Sequence, residues 1–455
     1  MAIDMTKGSS SKILITFAIP MVFGNILQQL YNTTDAIIVG RFIGKNALAA
    51  VGVANPIMSI AIFFIFGICI GTSVLISQLF GAGKYDVLKK EISTALIVGT
   101  VFTIVMSLVC IFLSKGALML IGTPADILND AELFLKIIFS GLIFTFLYNF
   151  YSSALSAIGD SKTPLLFLFI SCVLNGILCV VFVVYFKLGI AGSAIATVIA
   201  QGIASVLCIT FVYIKIPILR LNKNEFVVDK TLLRKTIQYS WVTALQQTCI
   251  YIGRLLVQGV VNPFGTNAIA AFNSVTRVDS FILAPGDSFA STMAIYTAQN
   301  KGAGKLDRIF EGYKSANIIM AVYSVATALI VFLGAETIMK FFVPSTETEV
   351  IIIGVKYLKF MSVFYVVSGF CNILQGLFRG VGNLHITLIA TALQISIRVV
   401  LSFILAPYFG VSAVGYAVAV GWSIMLIYEM LACRRFYIET KREEKKVLSS
   451  TNISQ

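Results

Sequence analysis

The chain repeats part of its own sequence at a constant offset of 221 residues, and this repeat limits the folds that are open to it. The segment 44–50 (GKNALAA) returns as 265–271 (GTNAIAA), and 78–86 (QLFGAGKYD) returns as 299–307 (QNKGAGKLD). Both matches contain glycines and polar residues, which a bias toward Leu, Ile and Val would not supply. We therefore interpret the chain as one structural unit that has been duplicated.

Apolar residues dominate the chain so strongly that it must lie in a lipid bilayer. Hydrophobic residues make up 58% of the sequence, charged residues only 12%, and the mean hydropathy is +0.93, whereas soluble domains carry about 25% charged residues. Twelve stretches reach the length of about 20 mainly apolar residues that a spanning helix requires. These stretches are 13–39, 50–80, 92–113, 132–157, 163–186, 190–214, 237–261, 268–299, 315–334, 350–378, 384–406 and 411–433. We predict an all-α integral membrane protein.

Basic residues collect in alternate loops, and this pattern predicts the orientation in the membrane. Most of the 34 lysines and arginines fall at the two ends of the chain and in every second loop. Basic residues in short loops stay on the cytoplasmic side. We therefore expect a multi-pass protein of the cell (plasma) membrane with both termini in the cytoplasm. The same asymmetry explains the net charge of +13, so we expect no nucleic-acid partner.

The longest basic connection lies where one repeat should end and the next begin. We predict an N-terminal six-helix lobe over residues 1–216, a cytoplasmic linker over 217–236, and a C-terminal six-helix lobe with a basic tail over 237–455. Because six is an even number, both repeats enter the membrane from the same side. A pseudo-two-fold axis along the membrane normal should relate them. A duplicated body of this kind suits a transporter with a substrate cavity between its lobes.

One acidic residue, Asp35, lies inside the first predicted span. Its polar neighbours at helical spacing on the same face are Gln28, Tyr31 and Asn32. An ionised carboxylate in hydrocarbon costs at least about 2.5 kcal/mol, so such an acid normally faces protein or water and marks a functional site. We expect a titratable or ion-binding group inside the first lobe. The alternative is an interfacial residue paired with Arg41 or Lys45.

Three neutral polar residues in later spans of the first lobe are candidates to complete this site. Asn175 lies in span 5, and Thr197 and Gln201 lie in span 6. They could supply oxygens and hydrogen-bond donors to the site, or each could form a helix-to-helix hydrogen bond. Pro20 lies in the same span as Asp35. We hypothesise that loading the acid is coupled to bending of span 1 at this proline.

The second lobe lacks a counterpart of Asp35, because the offset leads to Leu256. We therefore expect acid-dependent coupling in the first lobe only. Polar residues of spans 7 and 8 that suit a cavity wall are Gln247, Tyr251, Arg254, Gln258, Arg277 and Asp279. The alternative for Arg254 is a structural ion pair with Asp279 or Asp287. Glu429, close to Arg434, is expected at the cytoplasmic interface.

Motifs of enzymes and nucleotide-binding proteins are missing from the sequence. It has no His-Glu-x-x-His, no Gly-x-x-x-x-Gly-Lys-Ser/Thr and no nucleophile elbow. The eight cysteines form no Cys-x-x-Cys pair, so they indicate neither a disulfide framework nor a metal site. We expect no enzymatic activity, no cofactor and no bound structural metal. Transport would then be driven by an ion gradient. We expect a monomer whose partners are a small organic molecule and the lipid bilayer.

Short motifs along almost the whole chain, taken together, resemble the multidrug and toxic compound extrusion (MATE) family. No single motif would suffice. They are Ile19-Pro20-Met21, 31–41 (YNTTDAIIVGR), 46–52 (NALAAVG), 81–84 (GAGK), 159–164 (GDSKTP), 189–197 (GIAGSAIAT), 302–305 (GAGK) and Arg398.

This resemblance implies an antiporter of twelve helices in two lobes, which expels bulky, often cationic compounds in exchange for protons or sodium ions. By position, it also implies that Asp35, Asn175 and Thr197 surround the cation site of the first lobe. Many relatives carry a second aspartate where this chain has Cys179. A site with one carboxylate binds a metal cation less well, so we expect protons in preference to sodium. The alternative is a flippase for lipid-linked oligosaccharides from the same superfamily.

Overall fold

The computed structural model describes the backbone of residues 3–453 and their side chains, apart from those of Asn32, Ala36, Lys45 and residues 443–453. Throughout this part of the chain the regular structure is helical and contains no strand. The α-helices are α1 (Ser10–Phe42), α2 (Lys45–Gly81), α3 (Tyr85–Leu120), α4 (Ala125–Ser140), α5 (Leu142–Ala157), α6 (Lys162–Val180), α7 (Gly189–Lys215), α8 (Lys230–Val261), α9 (Thr266–Gly302), α10 (Leu306–Phe342), α11 (Thr348–Val381), α12 (Leu384–Phe409) and α13 (Ser412–Ile453).

These helices confirm the predicted all-α membrane architecture of twelve spans in two sets of six. Within the described chain, nine helices are long and apolar enough to cross a membrane, and the pair α4–α5 makes a tenth if it is one span bent by 45° at Gly141. Helices α8 and α9 complete the twelve. Both exceed 30 residues, but charged residues such as Arg254, Arg277 and Asp279 make them more polar than the other spans.

Three of the long helices contain a proline and are not interrupted by it. Helices α1, α2 and α9 continue through Pro20, Pro56 and Pro285. Neighbouring helices can satisfy the carbonyl that a proline leaves free, so a spanning helix tolerates it. Among the described spans, the one that is broken is the α4–α5 pair, which bends at Gly141. Pro20 therefore stays a predicted hinge, now placed inside an unbroken helix.

Each lobe has its own hydrophobic core, and many of the core residues are small. Ala50, Ala54 and Ala154 of the first lobe are almost completely buried, as are Ala271 and Ala335 of the second. Lipid tails are as apolar as these side chains, so helices in a bilayer associate through close packing instead of the hydrophobic effect. Small side chains allow the close approach that this packing needs.

Helix α1 contributes to the packing of both lobes. Leu14 and Phe17 in its first half are fully buried in a cluster with second-lobe residues such as Tyr296. Ile38 in its second half belongs to a cluster of first-lobe residues. Pro20 lies between these two parts of the helix. A single helix therefore connects the core of one lobe to the core of the other.

The two lobes meet at the ends of α2 and α9, where the repeated sequence contacts itself. Gly81 and Gly302 occupy equivalent positions of the repeat. A Cβ atom on Gly81 would lie 2.0 Å from the carbonyl oxygen of Gln299, and a Cβ atom on Gly302 would lie 1.9 Å from that of Gln78. Only glycine permits this approach at either position. Each repeat thus contacts the other through the equivalent glycine, as a pseudo-two-fold axis between the lobes requires.

The glutamines of the same motif also bond across to the opposite lobe. Gln78 Nε2 donates to the carbonyl oxygen of Gly380 at 3.0 Å, and Gln299 Nε2 donates to that of Ala157 at 2.8 Å. The backbone nitrogen of Met5 donates to Gln299 Oε1 at 3.2 Å. The first residues of the chain therefore cover this end of the bundle. We call it the N-terminal face.

The connection between α7 and α8 lies against α3. Ser93 Oγ donates to the carbonyl oxygen of Val227 at 2.8 Å and accepts from its backbone nitrogen at 2.7 Å. The backbone nitrogen of Asn222 donates to Glu225, and Lys89 pairs with Glu225 at 2.8 Å. These two partners hold the pKa of the Glu225 carboxyl below its usual range.

Helix α8 begins directly after this connection. Asp229 caps its first turn, because Asp229 Oδ1 accepts from the backbone nitrogens of Leu232 and Thr231 at 3.0 and 2.8 Å. These hydrogen bonds lower the pKa of the Asp229 carboxyl. An aspartate at this position satisfies backbone donors that have no partner within the helix.

Candidate functional site

Asp35 lies on the second half of α1, against α6 and α7. Its Oδ1 accepts a hydrogen bond from Ser193 Oγ of α7 at 2.9 Å and lies 3.6 Å from Cys179 Sγ of α6. Among the described side chains, no ion pair includes Asp35. Arg41 is therefore not its partner, and the side chain of Lys45 lies outside the described residues. The carboxyl group is held by neutral donors within the first lobe.

A second group of hydrogen bonds lies one helical turn away from Asp35. Tyr31 Oη donates to Thr197 Oγ1 at 3.3 Å, and Asn175 Nδ2 donates to the same oxygen at 3.2 Å. Asn175 is almost fully buried. Together with the contacts of Asp35, these bonds join α1, α6 and α7. The structure thus brings together five of the residues that the sequence nominated: Tyr31, Asp35, Asn175, Cys179 and Thr197.

Ser193 is the residue of this site that sequence reasoning missed. It lies one turn before Thr197 on α7, so both hydroxyls face the same side of the helix. Gly192 next to it allows close packing, because a Cβ atom there would lie 3.1 Å from the backbone of Phe182. The spacing of Ser193 and Thr197 within the motif 189–197 was a usable signal.

The donor set around Asp35 suits a proton better than a metal ion. A proton needs one basic oxygen, whereas hard cations prefer several oxygen ligands. Here one carboxylate is accompanied by one hydroxyl at 2.9 Å and one thiol at 3.6 Å. A thiol is a soft ligand, which hard cations do not favour. Cys179 therefore makes the site a poorer ligand set for sodium on chemical grounds.

Among the remaining first-lobe candidates, the described side chains of Gln28 and Gln201 make no hydrogen bond to this cluster. Gln28 is exposed, and the side chain of Asn32 lies outside the described residues. Gln201 follows Thr197 by one turn of α7. Its Oε1 is buried, and no described group donates to it. Gln201 Oε1 lies close to the cluster and is therefore a free acceptor for a bound cation or for water.

The candidates on α8 do not join the Asp35 cluster. Tyr251 packs against Phe63 of α2 with ring centroids 5.4 Å apart, so it lies at the boundary between the lobes. Gln247 is half-buried, and Arg254 is exposed. Gln258 Nε2 donates to Asn262 Oδ1 at the end of the same helix, at 3.0 Å. This row of polar residues runs from the inter-lobe boundary to the end of α8.

The charged candidates of the second lobe are separated from one another. Asp279 accepts a hydrogen bond from Tyr365 Oη of α11. Arg254 lies within ion-pair distance of neither Asp279 nor Asp287 among the described residues, so the structural ion pair that was the alternative for Arg254 is not formed. Arg277 lines a separate groove of about 510 Å³ between α9 and the end of α10. These residues do not form a counterpart of the Asp35 site.

The interfacial position expected for Glu429 is wrong. The residue is completely buried in the second lobe, and Gln375 Nε2 of α11 donates to its Oε1. Helix α13 continues far beyond Glu429, to Ile453. A buried acid in the second lobe is a feature that the sequence did not reveal.

Comparison with known proteins agrees with the geometry. The MatE family model matches the chain twice, over residues 20–181 and 243–404. The "Probable multidrug resistance protein YpnP" of Bacillus subtilis (strain 168) is 30% identical over 385 residues, which cover 84% of this chain and 85% of that protein. The two matches together cover most of the described spans of both lobes.

Solved structures share the fold along nearly the whole chain. A crystal structure of MATE in complex with MaL6 has a TM-score of 0.91 at 21% identity, and it covers 96% of this chain and 99% of its own. An outward-facing conformation of a multidrug resistance MATE family transporter has a TM-score of 0.89 at 21% identity, with 95% and 97% covered. The chain therefore belongs to the MATE family of membrane transporters.

Proposed function

We propose that this transporter exports bulky amphipathic or cationic organic compounds in exchange for cations, with protons as the preferred coupling ion. The multidrug resistance role in the name of its B. subtilis relative supports this cargo. One chain supplies both lobes, so the proposed unit is a monomer in the cell membrane.

One observation carries the proposal: among the described side chains, Asp35 is a carboxyl group held only by neutral donors inside the first lobe. An acid removed from lipid and from cationic partners can exchange a proton without breaking an ion pair. Its donors Ser193 and Cys179 belong to α7 and α6. A change in the charge of Asp35 therefore acts directly on the packing of α1 against these two helices.

Helix α1 links this event to the second lobe. Its first half is buried against second-lobe residues, and its second half carries Asp35. A movement of one half relative to the other changes how the lobes are held together. Pro20 lies between the halves and leaves one carbonyl without its helical donor, so bending is easiest there. We propose that proton binding at Asp35 biases the lobes between inward-open and outward-open states through α1.

We infer from the basic loops that the N-terminal face is the cytoplasmic one. The lobes contact each other at this face through Gly81 and Gly302, so the structure corresponds to a state closed toward the cytoplasm. The likeness to an outward-facing transporter structure supports this interpretation. The cargo would bind between the lobes, near Tyr251 and Phe63, and leave on the opposite side. Arg254 and Asp279 would add polar character to the wall of that cavity.

Sodium is the alternative coupling ion at the same site. A lipid-linked oligosaccharide flippase is the alternative function, but the name of the relative does not favour it. The cavity candidates on α8 include one arginine, Arg254, and not the strongly cationic wall that a flippase of this superfamily is expected to have.

The decisive experiment measures transport of a fluorescent organic cation in proteoliposomes under separate proton and sodium gradients. The parent protein is compared with Asp35→Asn, and Asp130→Asn, an exposed acid on α4, serves as a matched control. We expect a proton gradient to drive transport by the parent and the control. Asp35→Asn should reduce it by about tenfold or more, as loss of a coupling energy of 1–3 kcal/mol would predict.

Two results would contradict the proposal. Equal transport by the parent and Asp35→Asn would remove Asp35 from the mechanism, and transport driven by sodium alone would replace the proton. A Pro20→Ala variant in the same assay tests the hinge, because a stiffer α1 should slow transport without abolishing cation binding. Normal rates in that variant would show that α1 does not need the proline to move.

A further inference from the structure

Glu429 is a second buried carboxyl group, and the proton exchange proposed at Asp35 does not use it. It lies on α13 inside the second lobe and has no exposed surface. Helices α11, α12 and α10 surround this part of α13. The repeat does not predict an acid here, because the equivalent first-lobe position is Cys208. A buried acid in a spanning helix is costly to retain unless it has a role.

A chain of amide hydrogen bonds begins at Glu429. Gln375 Nε2 on α11 donates to Glu429 Oε1, and Gln375 Oε1 accepts from Gln246 Nε2 on α8 at 2.7 Å. Gln246 Nε2 also donates to Thr391 Oγ1 on α12 at 2.8 Å. All four side chains are buried. The network therefore connects four of the six spans of the second lobe.

The second oxygen of Glu429 has no partner. Oε2 is buried, and no described group donates to it. The titratable or charged groups that act on Glu429 are Arg379 and Cys371 on α11 and Tyr313 on α10; Cys433 follows Glu429 by one turn of α13. Arg379 is not within ion-pair distance. One amide donor does not compensate an ionised carboxylate in such a site, whereas a proton on Oε2 removes its charge.

The surroundings fit a proton and not a metal ion. Gln375 turns its amide nitrogen toward Glu429 and its oxygen toward Gln246, so it offers no ligand to a cation. The described part of the chain contains no group of three or more His, Cys, Asp or Glu residues that could hold a metal. A hard cation needs several oxygens, which this site does not supply.

We propose that Glu429, in the core of the second lobe, is a second proton-binding site. Its protonation state changes the contact between the lobes through the chain of amide hydrogen bonds. The inference rests on the proposed proton-coupled transport. The amide chain ends at Gln246, one turn after Thr243, whose Oγ1 donates to the carbonyl oxygen of Gly67 in the first lobe at 2.6 Å. Protonation of Glu429 thus acts on the helix that contacts the other lobe.

Loss of the proton has a defined structural consequence. Arg379 is the cation that acts on Glu429, and its Nε is also buried without a partner. Asp287 on α9 acts on the same arginine. An ionised Glu429 would attract the Arg379 side chain, whose Nε has no described partner, and would thereby change how the end of α11 packs against α9. These two helices pack through Gly376 and Gly380, where a Cβ atom would lie 2.4 and 2.5 Å from carbonyl oxygens of α9. Because the helices are this close, even a small shift of α11 would disturb its packing against α9.

Infrared difference spectroscopy of the full-length protein in liposomes tests this proposal directly. The carbonyl stretch of protonated carboxyl groups is followed while the pH is raised from about 5 to about 9. We expect Glu429→Gln to remove one component of this band and Asp35→Asn to remove a different one. Glu336→Gln, an exposed acid paired with Lys340 in the same lobe, is the matched control and should remove neither.

The isosteric glutamine keeps the acceptor for Gln375, so we expect Glu429→Gln to fold. Gln375→Met removes the donor and should move the Glu429 component to a different pH, which a merely structural role would not produce. An unchanged band in Glu429→Gln would overturn the proposal, and so would an unchanged midpoint in Gln375→Met.

The number of protons exchanged per cargo molecule is then measured in proteoliposomes. Under the proposal, Glu429→Gln lowers this number while transport continues. A parent protein that does not transport would refute the proposed function, yet the infrared band would still decide whether Glu429 binds a proton. An unchanged proton number in a transporting Glu429→Gln protein would overturn its coupling role.

Discussion

The two lobes of this protein have the same helical plan but bury different acids in different places. In the first lobe, Asp35 lies between α1, α6 and α7 and is held by a hydroxyl and a thiol. In the second lobe, the equivalent position is Leu256, and Glu429 on α13 is held by an amide. The duplication therefore preserved the packing of the helices and not the chemistry between them.

The difference shows which contacts the fold requires. The motif around Gly81 and Gly302 is the same in both repeats, because each copy packs against the other and any side chain there would collide with backbone. Among the described residues, Asp35 and Glu429 accept hydrogen bonds only from side chains of their own lobe. They can change in one copy without disturbing the pseudo-two-fold contact, so each lobe could acquire a separate ion-binding role.

The symmetric contact between the lobes gives the largest expected effect. Gly81→Ala and Gly302→Ala should each destabilise the closed N-terminal face by about 1–3 kcal/mol, because a Cβ atom would overlap a carbonyl oxygen. We expect similar decreases in Tm for the two variants and less than the sum for the double variant, since both break one contact. Thermal unfolding in detergent measures these values.

A matched control for this prediction is Gly116→Ala on α3. No atom lies within 4 Å of a Cβ added there, so the variant should be neutral or slightly stabilising. Clearly unequal effects at Gly81 and Gly302 would show that the two repeats do not share this contact equally.

The missing second acid of the first lobe can be restored. Cys179→Asp would place a carboxylate where a thiol now lies 3.6 Å from Asp35. Two carboxylates at one site favour a metal cation, so sodium binding should strengthen by about tenfold, or about 1.4 kcal/mol. Calorimetric titration with sodium measures the change.

Cys179→Ser is the control for this substitution, because it keeps a neutral donor beside Asp35 and adds no charge. Its sodium affinity should stay close to that of the parent. If Cys179→Asp bound sodium no better than Cys179→Ser, the lack of a second acid would not support the proposed preference for protons.

The starts of the equivalent helices α1 and α8 give the smallest expected effect. Asp229 caps α8 with its side chain, whereas α1 begins after Ser9 without such a bond. Because the pKa of Asp229 is lowered in the folded protein, its contribution is present above its usual value of about 3.9 and is lost as the pH falls through the folded value. Asp229→Ala should lower Tm slightly at neutral pH.

The difference in Tm between the parent and Asp229→Ala should shrink as the pH is lowered to about 3. Asp86→Asn, an exposed acid in the first turn of α3, is a control in which no cap is lost. A difference that stayed constant down to the lowest pH would show that the charge of Asp229 does not contribute to the cap.

Much of the candidate site was predictable, because its residues follow local rules. Asp35 drew attention as an acid in an apolar span, and Tyr31 follows from helical spacing. Asn175 and Thr197 were candidates as polar residues in apolar spans, and the family resemblance added that they surround the same site as Asp35. Ser193 could have been found from its spacing to Thr197. Glu429 could not, because its distance from the arginines of α13 along the chain does not tell which side of the helix meets α11.

By itself, the sequence determined the membrane class, the number of spans, the duplication and the presence of one acid in span 1. These depend on composition, period and offset, which need no knowledge of contacts. Only the tertiary structure decided that α1 packs into both lobes, that Arg254 pairs with neither Asp279 nor Asp287, and that Glu429 is buried. Such features depend on which helix faces pack against each other. In an apolar span every face is hydrophobic enough to be buried, so the sequence does not indicate which face meets a neighbouring helix.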